Sequence, residues 1–173
     1  MPTLLLLLAL VTSVLMAPAA ASDTADAWTR PPPQPGERFT WPLASPHPVV
    51  RPFEAPATPY GPGHRGVDLG GQPGGPVTAA GDGVVVYAGQ LAGRGVVSID
   101  HADGLRTTYE PLTVLVAEGQ RVTRGTVIGN LAPGHLGCAE AACLHWGARR
   151  GTEYLDPLGL LSSGRVRLLP WDG

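Results

Sequence analysis

Short runs of β-branched and aromatic residues, broken every few positions by glycine or an Asp-Gly pair, constrain this chain more than any other feature. Val84-Val85-Val86-Tyr87-Ala88 follows the turn Ala80-Gly81-Asp82-Gly83. Gly95 to Asp100 carries a second run, His101-Ala102-Asp103-Gly104 a second turn, and Arg106-Thr107-Thr108-Tyr109 a third run. Asp-Gly at 82–83 and 103–104 is a tight-turn signal because both residues tolerate the left-handed backbone such turns need. Further short runs lie at Thr113 to Val116, Glu118 to Val122 and Gly125 to Gly129. No segment has a convincing helical period beyond a brief turn at 157–161, so the reading is an all-β sandwich or barrel of short antiparallel strands. The 43% apolar content is enough for a core.

The flanks read differently. Leu4 to Met16 is an apolar run too short to span a bilayer as a helix, and Ala19-Ala20-Ala21 satisfies the small-residue cleavage pattern. Residues 1–21 are therefore expected to be a signal peptide directing export to the cell envelope or beyond. The positive n-region is missing, and an uncleaved N-terminal anchor is the alternative. Residues 22–38, with Pro31-Pro32-Pro33-Gln34-Pro35, read as an extended spacer. The folded domain is expected over 39–162, with a first strand at 39–43 and a Pro-rich wrap to Pro62, leaving 163–173 as a tail.

A net charge of -2 supplies no broad electrostatic footprint for nucleic acid. All 12 basic residues are arginine, so no chemistry that needs a lysine amine can run here. That removes one reading of the spaced pattern Glu118-Gly119-x-x-Val122-x-x-Gly125-x-x-Ile128-Gly129. It resembles the half-barrel of lipoyl and biotinyl carriers, but those carriers need a modified lysine.

His64-Arg65-Gly66-Val67-Asp68 presents an imidazole and a carboxylate four residues apart, able to converge on one metal where a turn enters a strand. Leu144-His145-Trp146 offers a third ligand after a β-type stretch. An oxidising compartment would pair Cys138 with Cys143 in a local disulfide. Cys143 also stands two residues from His145, and a free thiolate there would instead close a four-ligand, structural zinc site. Trp146, Tyr60 and Tyr109 are candidates either for a ligand groove or for the core. Arg149-Arg150 reads as a solvated strand end, or as a partner for a substrate carboxylate.

Taken in order, these stretches resemble the LytM/lysostaphin-type peptidases, whose fold is the barrel-sandwich or duplicated hybrid motif. The likeness rests on residues 39–43, His64 to Asp68, Pro76-Val-Thr-Ala-Ala-Gly-Asp-Gly-Val84, Asp100 to Gly104, Thr108-Tyr109, Val122 to Gly129, Leu144-His145-Trp146 and Asp156-Pro-Leu158. It implies one Zn2+ held by His64, Asp68 and His145, and cleavage of peptidoglycan stem-peptide cross-links. Two positions depart from the family's pattern. Its final His-x-His has Cys143 in the first place, and its Tyr-x-His-Leu has Pro111 where the histidine stands. Losing a general base or an oxyanion donor costs about 10²–10⁴ in rate. His135, in the loop that a Cys138–Cys143 bond would tether, reads either as a solvated loop histidine or as the better candidate for a substitute base. Glu110, next to the position of a lost histidine, is expected to point to the opposite face. His47 is expected to be an ordinary surface residue and His101 non-catalytic. The alternative to a zinc endopeptidase is a degenerate member that binds wall or regulates another hydrolase.

Overall fold

The computed structural model describes residues 38–161 except 46, 59–60 and 136. The expected signal peptide, most of the spacer, the tail and Tyr60 lie outside the described residues. Eleven strands form two antiparallel sheets among those residues. They are β1 (Val49–Arg51), β2 (Gly66–Gly71), β3 (Pro76–Thr78), β4 (Gly83–Leu91), β5 (Arg94–Asp100), β6 (Leu105–Glu110), β7 (Leu112–Val114), β8 (Arg121–Val122), β9 (Val127–Leu131), β10 (Ala142–Arg150) and β11 (Glu153–Leu155). The larger sheet runs β1-β2-β10-β6-β5-β4-β8, with β11 paired to β10. The smaller runs β3-β9-β7. The all-β expectation holds.

Period-two alternation decides what each face carries. In β6, Leu105, Thr107 and Tyr109 are buried, while Arg106, Thr108 and Glu110 are only partly covered. Val67 and Leu69 of β2, Val97 and Ile99 of β5, and Leu144 and Trp146 of β10 join Tyr109 in one core with Val77, Ile128 and Leu131 of the smaller sheet. Trp146 and Tyr109 are fully buried and belong to this core, not to a groove. Burying a large side chain of this kind contributes roughly 1.5–3 kcal/mol.

A buried polar chain crosses that core. His101 Nδ1 donates to the Asp82 carbonyl at 2.8 Å, and its Nε2 lies 2.7 Å from Thr107 Oγ1. Thr107 Oγ1 is 2.8 Å from the Tyr109 hydroxyl, which accepts from the Ala80 amide at 3.0 Å. Burial pushes the Tyr109 phenol up to about 12. His101 is thus structural, in line with its expected role. His47 departs from expectation: it is half-buried, its ring 4.3 Å from that of Trp41.

The Asp103-Gly104 turn is built as expected, both residues adopting left-handed φ of 61° and 68° between β5 and β6. At Asp82-Gly83 the glycine serves close approach instead, since a Cβ on Gly83 would collide with the Asp100 carbonyl. Residues 39–43 form no strand. They are pinned at two points, Thr40 N to Ala80 O and Thr78 N to Pro42 O. Pro42 has no N–H to carry a ladder further. The turn at Pro157–Leu160 is a single 3-10 turn, capped by the Asp156 carboxylate accepting from the Leu158 amide.

Candidate metal centre

Asp68 and His145 are direct cross-strand partners in the β2–β10 register, on the face turned away from the core. Opposite residues in an antiparallel pair have Cβ atoms about 4.5–5.5 Å apart, so the two side chains meet. His64 arrives from the segment just before β2, which an isolated bridge between Glu54 and His64 holds in place. His64 Nε2, Asp68 Oδ1 and His145 Nδ1 form a triangle with edges of 3.0, 2.9 and 3.1 Å. His64 and Asp68 are buried and His145 is partly exposed. Gly66 makes room for this packing: a Cβ there would stand 2.5 Å from the Trp146 carbonyl and 2.7 Å from His145 Nε2.

The protons in this triangle can be counted. His64 Nδ1 lies 2.7 Å from the Pro52 carbonyl, which can only accept, so that nitrogen carries the hydrogen. A neutral His64 therefore turns the Nε2 lone pair toward Asp68 Oδ1 and His145 Nδ1. The Nε2 lone pair and the carboxylate, 3.0 Å apart, repel unless a cation stands between them. His145 Nδ1, 2.9 Å from Asp68 Oδ1, donates to the carboxylate when it carries its ring hydrogen. Zinc bonds of about 2.0–2.2 Å at tetrahedral angles put ligand atoms about 3.3–3.5 Å apart. The triangle needs to open by only a few tenths of an ångström to receive such an ion. The Pro52 carbonyl also fixes the His64 tautomer and ring plane, as supporting partners of metal-bound histidines do.

Burial by itself would raise the Asp68 carboxyl pKa. The hydrogen bond from His145 and the charges of His135, His64 and His145 outweigh it and hold that carboxyl below its ordinary range. Asp68 is thus kept as an anionic donor.

The disulfide joins Cys138 to Cys143, with Cα atoms 5.7 Å apart. Cys143 is therefore not a thiolate donor, and the closed four-ligand reading is corrected. The bond ties the β9–β10 loop to the strand that carries His145. It brings His135 to the triad, with Nε2 3.5 Å from Asp68 Oδ1 and its ring stacked on that of His145 at 6.0 Å and 9°. Burial pushes the His135 imidazole pKa down, against the opposing pull of Asp68 and Glu110. His135 Nδ1 is buried without a hydrogen-bond partner among the described residues. Pro111 is buried between β6 and β7 and presents no titratable group.

Glu110 is corrected. It pairs with His145 in the β6–β10 register and lines the same groove, on the same face. Alternation holds, but it must be counted from Tyr109, which is anchored in the core, and not from Pro111, which lies beyond the strand. Arg94, on the neighbouring strand β5, reaches Glu110 Oε1 at 3.4 Å. Neither this pair nor the Pro52 carbonyl was legible as part of the site, since both depend on long-range register.

The groove beside His145 has a volume of about 500 Å³ and is lined among others by Arg65, Tyr87, Ser98, Arg149 and Tyr154. A bulge between Val85 and Tyr87 turns both Val86 and Tyr87 toward it. Arg65 lies over the Tyr154 ring at 5.3 Å. Arg149 is half-buried, donating to the Gly151 carbonyl at 2.6 Å, while Arg150 is exposed.

A two-sheet β fold thus carries a His-Asp-His set able to hold a metal ion at the edge of an open groove. The chain belongs to peptidase family M23, whose family model matches residues 62–157, and members of that family are zinc peptidases. It is 58% identical over 137 residues to an uncharacterized protein of Mycobacterium tuberculosis, covering 77% of this chain and 55% of that protein. The chain thus spans about half the length of that relative. The DD-carboxypeptidase/endopeptidase Mpg of Neisseria meningitidis is 34% identical over 98 residues, covering 56% of this chain and 22% of Mpg. Among solved structures, lysostaphin superimposes with a TM-score of 0.59 at 25% identity, covering 80% of this chain and 62% of lysostaphin.

Proposed function

We propose that this chain is an exported zinc metalloendopeptidase that cuts peptide cross-links of peptidoglycan. The observation that carries the reading is the triangle of His64 Nε2, Asp68 Oδ1 and His145 Nδ1, three potential metal donors within 3.1 Å of one another. These three residues would hold Zn2+. A zinc ion held by them would supply polarisation of the scissile carbonyl and activation of a water for attack on it. The groove, within the ordinary size range of ligand sites, receives an extended peptide along β10 and β6. His135, held by the Cys138–Cys143 bond, supplies an imidazole beside the reacting carbonyl. Residues 1–21 direct export, 22–38 space the domain from them, 39–162 form the peptidase domain and 163–173 a tail.

Purified walls incubated with the zinc-loaded protein are expected to release stem-peptide fragments. Chelation stops the release and added zinc restores it. No release above an Asp68→Ala control overturns the proposal. A second reading, a member that binds wall or regulates another hydrolase without cleaving, is favoured by Pro111 and Cys143 standing in the family's histidine positions. It predicts wall binding or activation of a partner hydrolase that survives chelation.

A further inference from the structure

We infer that Glu110 is the proton-carrying catalytic residue of this site, taking over from the histidines replaced by Pro111 and Cys143. The inference rests on the peptidase reading above. Three residues stand in one row across three adjacent strands: Asp68 on β2, His145 on β10 and Glu110 on β6. Strands lie about 4.8 Å apart, so the Cα atoms of the two carboxylates are roughly two spacings, about 10 Å, from each other with His145 between them.

That geometry separates their roles. Asp68 Oδ1 touches both triad histidines, whereas Glu110 is not in the group of donors gathered within 4.8 Å. Glu110 stands on the groove side of His145, where substrate enters, with its side chain 18% exposed. Glu110 flanks His145 from the strand opposite Asp68 and stands outside the three-residue donor set, which places its carboxylate to hold a water beside that set.

One further contact positions the carboxylate. Arg94 Nη2, reaching over from β5, lies 3.4 Å from Glu110 Oε1. Arg94 also lines the neighbouring cavity with Pro111 and Gly134, so the Glu110–Arg94 pair stands where two cavities adjoin. His135 stacks on the ring of His145, which Glu110 faces across the β6–β10 register, so the two groups flank the same residue.

The chemistry divides between them. An ionised carboxylate only accepts, so Glu110 takes the proton as a water oxygen bonds to the scissile carbonyl carbon. It then gives that proton to the amide nitrogen as the C–N bond breaks, leaving a carboxylate and an amine. His135 contributes an N–H to the carbonyl oxygen as negative charge gathers there. The base expected from sequence at His135 is thereby moved to Glu110, and Arg94 is a positioning residue.

The test uses the full chain, purified bacterial walls as substrate and Glu110→Gln, which keeps the size of the side chain. Zinc affinity, measured by competition with a chromogenic chelator, is expected to stay within about twofold of wild type. kcat is expected to fall about 10²–10⁴-fold with KM little changed. Added formate is expected to restore part of the rate to Glu110→Ala, which a purely structural role would not allow. Wild-type-like turnover by Glu110→Gln, or loss of its zinc, overturns the assignment to Glu110 alone. An inactive wild type overturns this assignment together with the peptidase reading.

Discussion

His64 Nδ1 donates to the Pro52 carbonyl at 2.7 Å, and that one bond decides the character of the site. It commits the ring's hydrogen to the outside and turns the Nε2 lone pair toward Asp68 and His145. That lone pair faces the Asp68 carboxylate at 3.0 Å, so two acceptors meet at the point where a cation would be held. The rest of the site's behaviour follows from how rigidly β2 and β10 hold this triangle.

Gly66 is where that rigidity is most easily broken. In Gly66→Ala the new methyl meets the Trp146 carbonyl and the His145 ring at once. The His145 side chain must swing away, and overpacking of this kind costs about 1–3 kcal/mol. Zinc affinity is expected to drop by at least about tenfold, as when a partner that orients a ligand is lost, with a lower denaturation midpoint. Chelator competition and urea titration read the two effects separately. Unchanged zinc affinity would show that Gly66 does not set the position of His145.

The disulfide acts on His135 rather than on the proposed metal ligands. It closes a loop of six residues, for which the chain-entropy relation gives about 2 kcal/mol. Replacing both cysteines by serine is expected to lower stability by up to that amount. Zinc affinity should remain near wild type, because His64, Asp68 and His145 are held by sheet register and by Pro52. Wall digestion is expected to fall as His135 leaves its place beside Asp68. Digestion at the wild-type rate in the double variant would remove His135 from the reaction.

His101 gives a pH signature separate from the metal centre. Burial holds its imidazole pKa below the ordinary 6.5, outweighing the Asp82 hydrogen bond and the charge of Asp100. In the window between the lowered value and about 6.5 the unfolded chain binds a proton that the native protein refuses. The stability this group contributes is therefore complete above about pH 6.5 and is lost as pH falls through its folded value. Urea titrations from pH 7.5 to 5 should show wild type losing stability faster than His101→Gln, by at most about 1.4 kcal/mol per pH unit. Equal slopes would mean that His101 is protonated in the native state.

Much of this was written locally in the chain. The β-branched runs and Asp-Gly pairs gave strands and turns, and His64, Asp68 and His145 stood out by residue type and spacing. Residues 39–43 misled because apolar content suggested a strand where Pro42 interrupts the ladder. Glu110 misled for a different reason. Its facing depends on which neighbour is anchored, and only the burial of Tyr109 between the sheets decides that. Cys143 was ambiguous in sequence because a thiolate ligand and a disulfide require the same residue at the same place. The Pro52 and Arg94 contacts depend on segments brought together only by the fold.

The most direct measurement is calorimetric titration of the metal-free protein with zinc, in wild type and in Asp68→Ala. One site per chain is predicted for wild type, with affinity at least about 100-fold weaker in the variant, beyond the ~10–100-fold cost of losing a supporting partner. A wild type that takes up no zinc, or an Asp68→Ala variant that binds it equally well, would contradict a metal centre built from His64, Asp68 and His145.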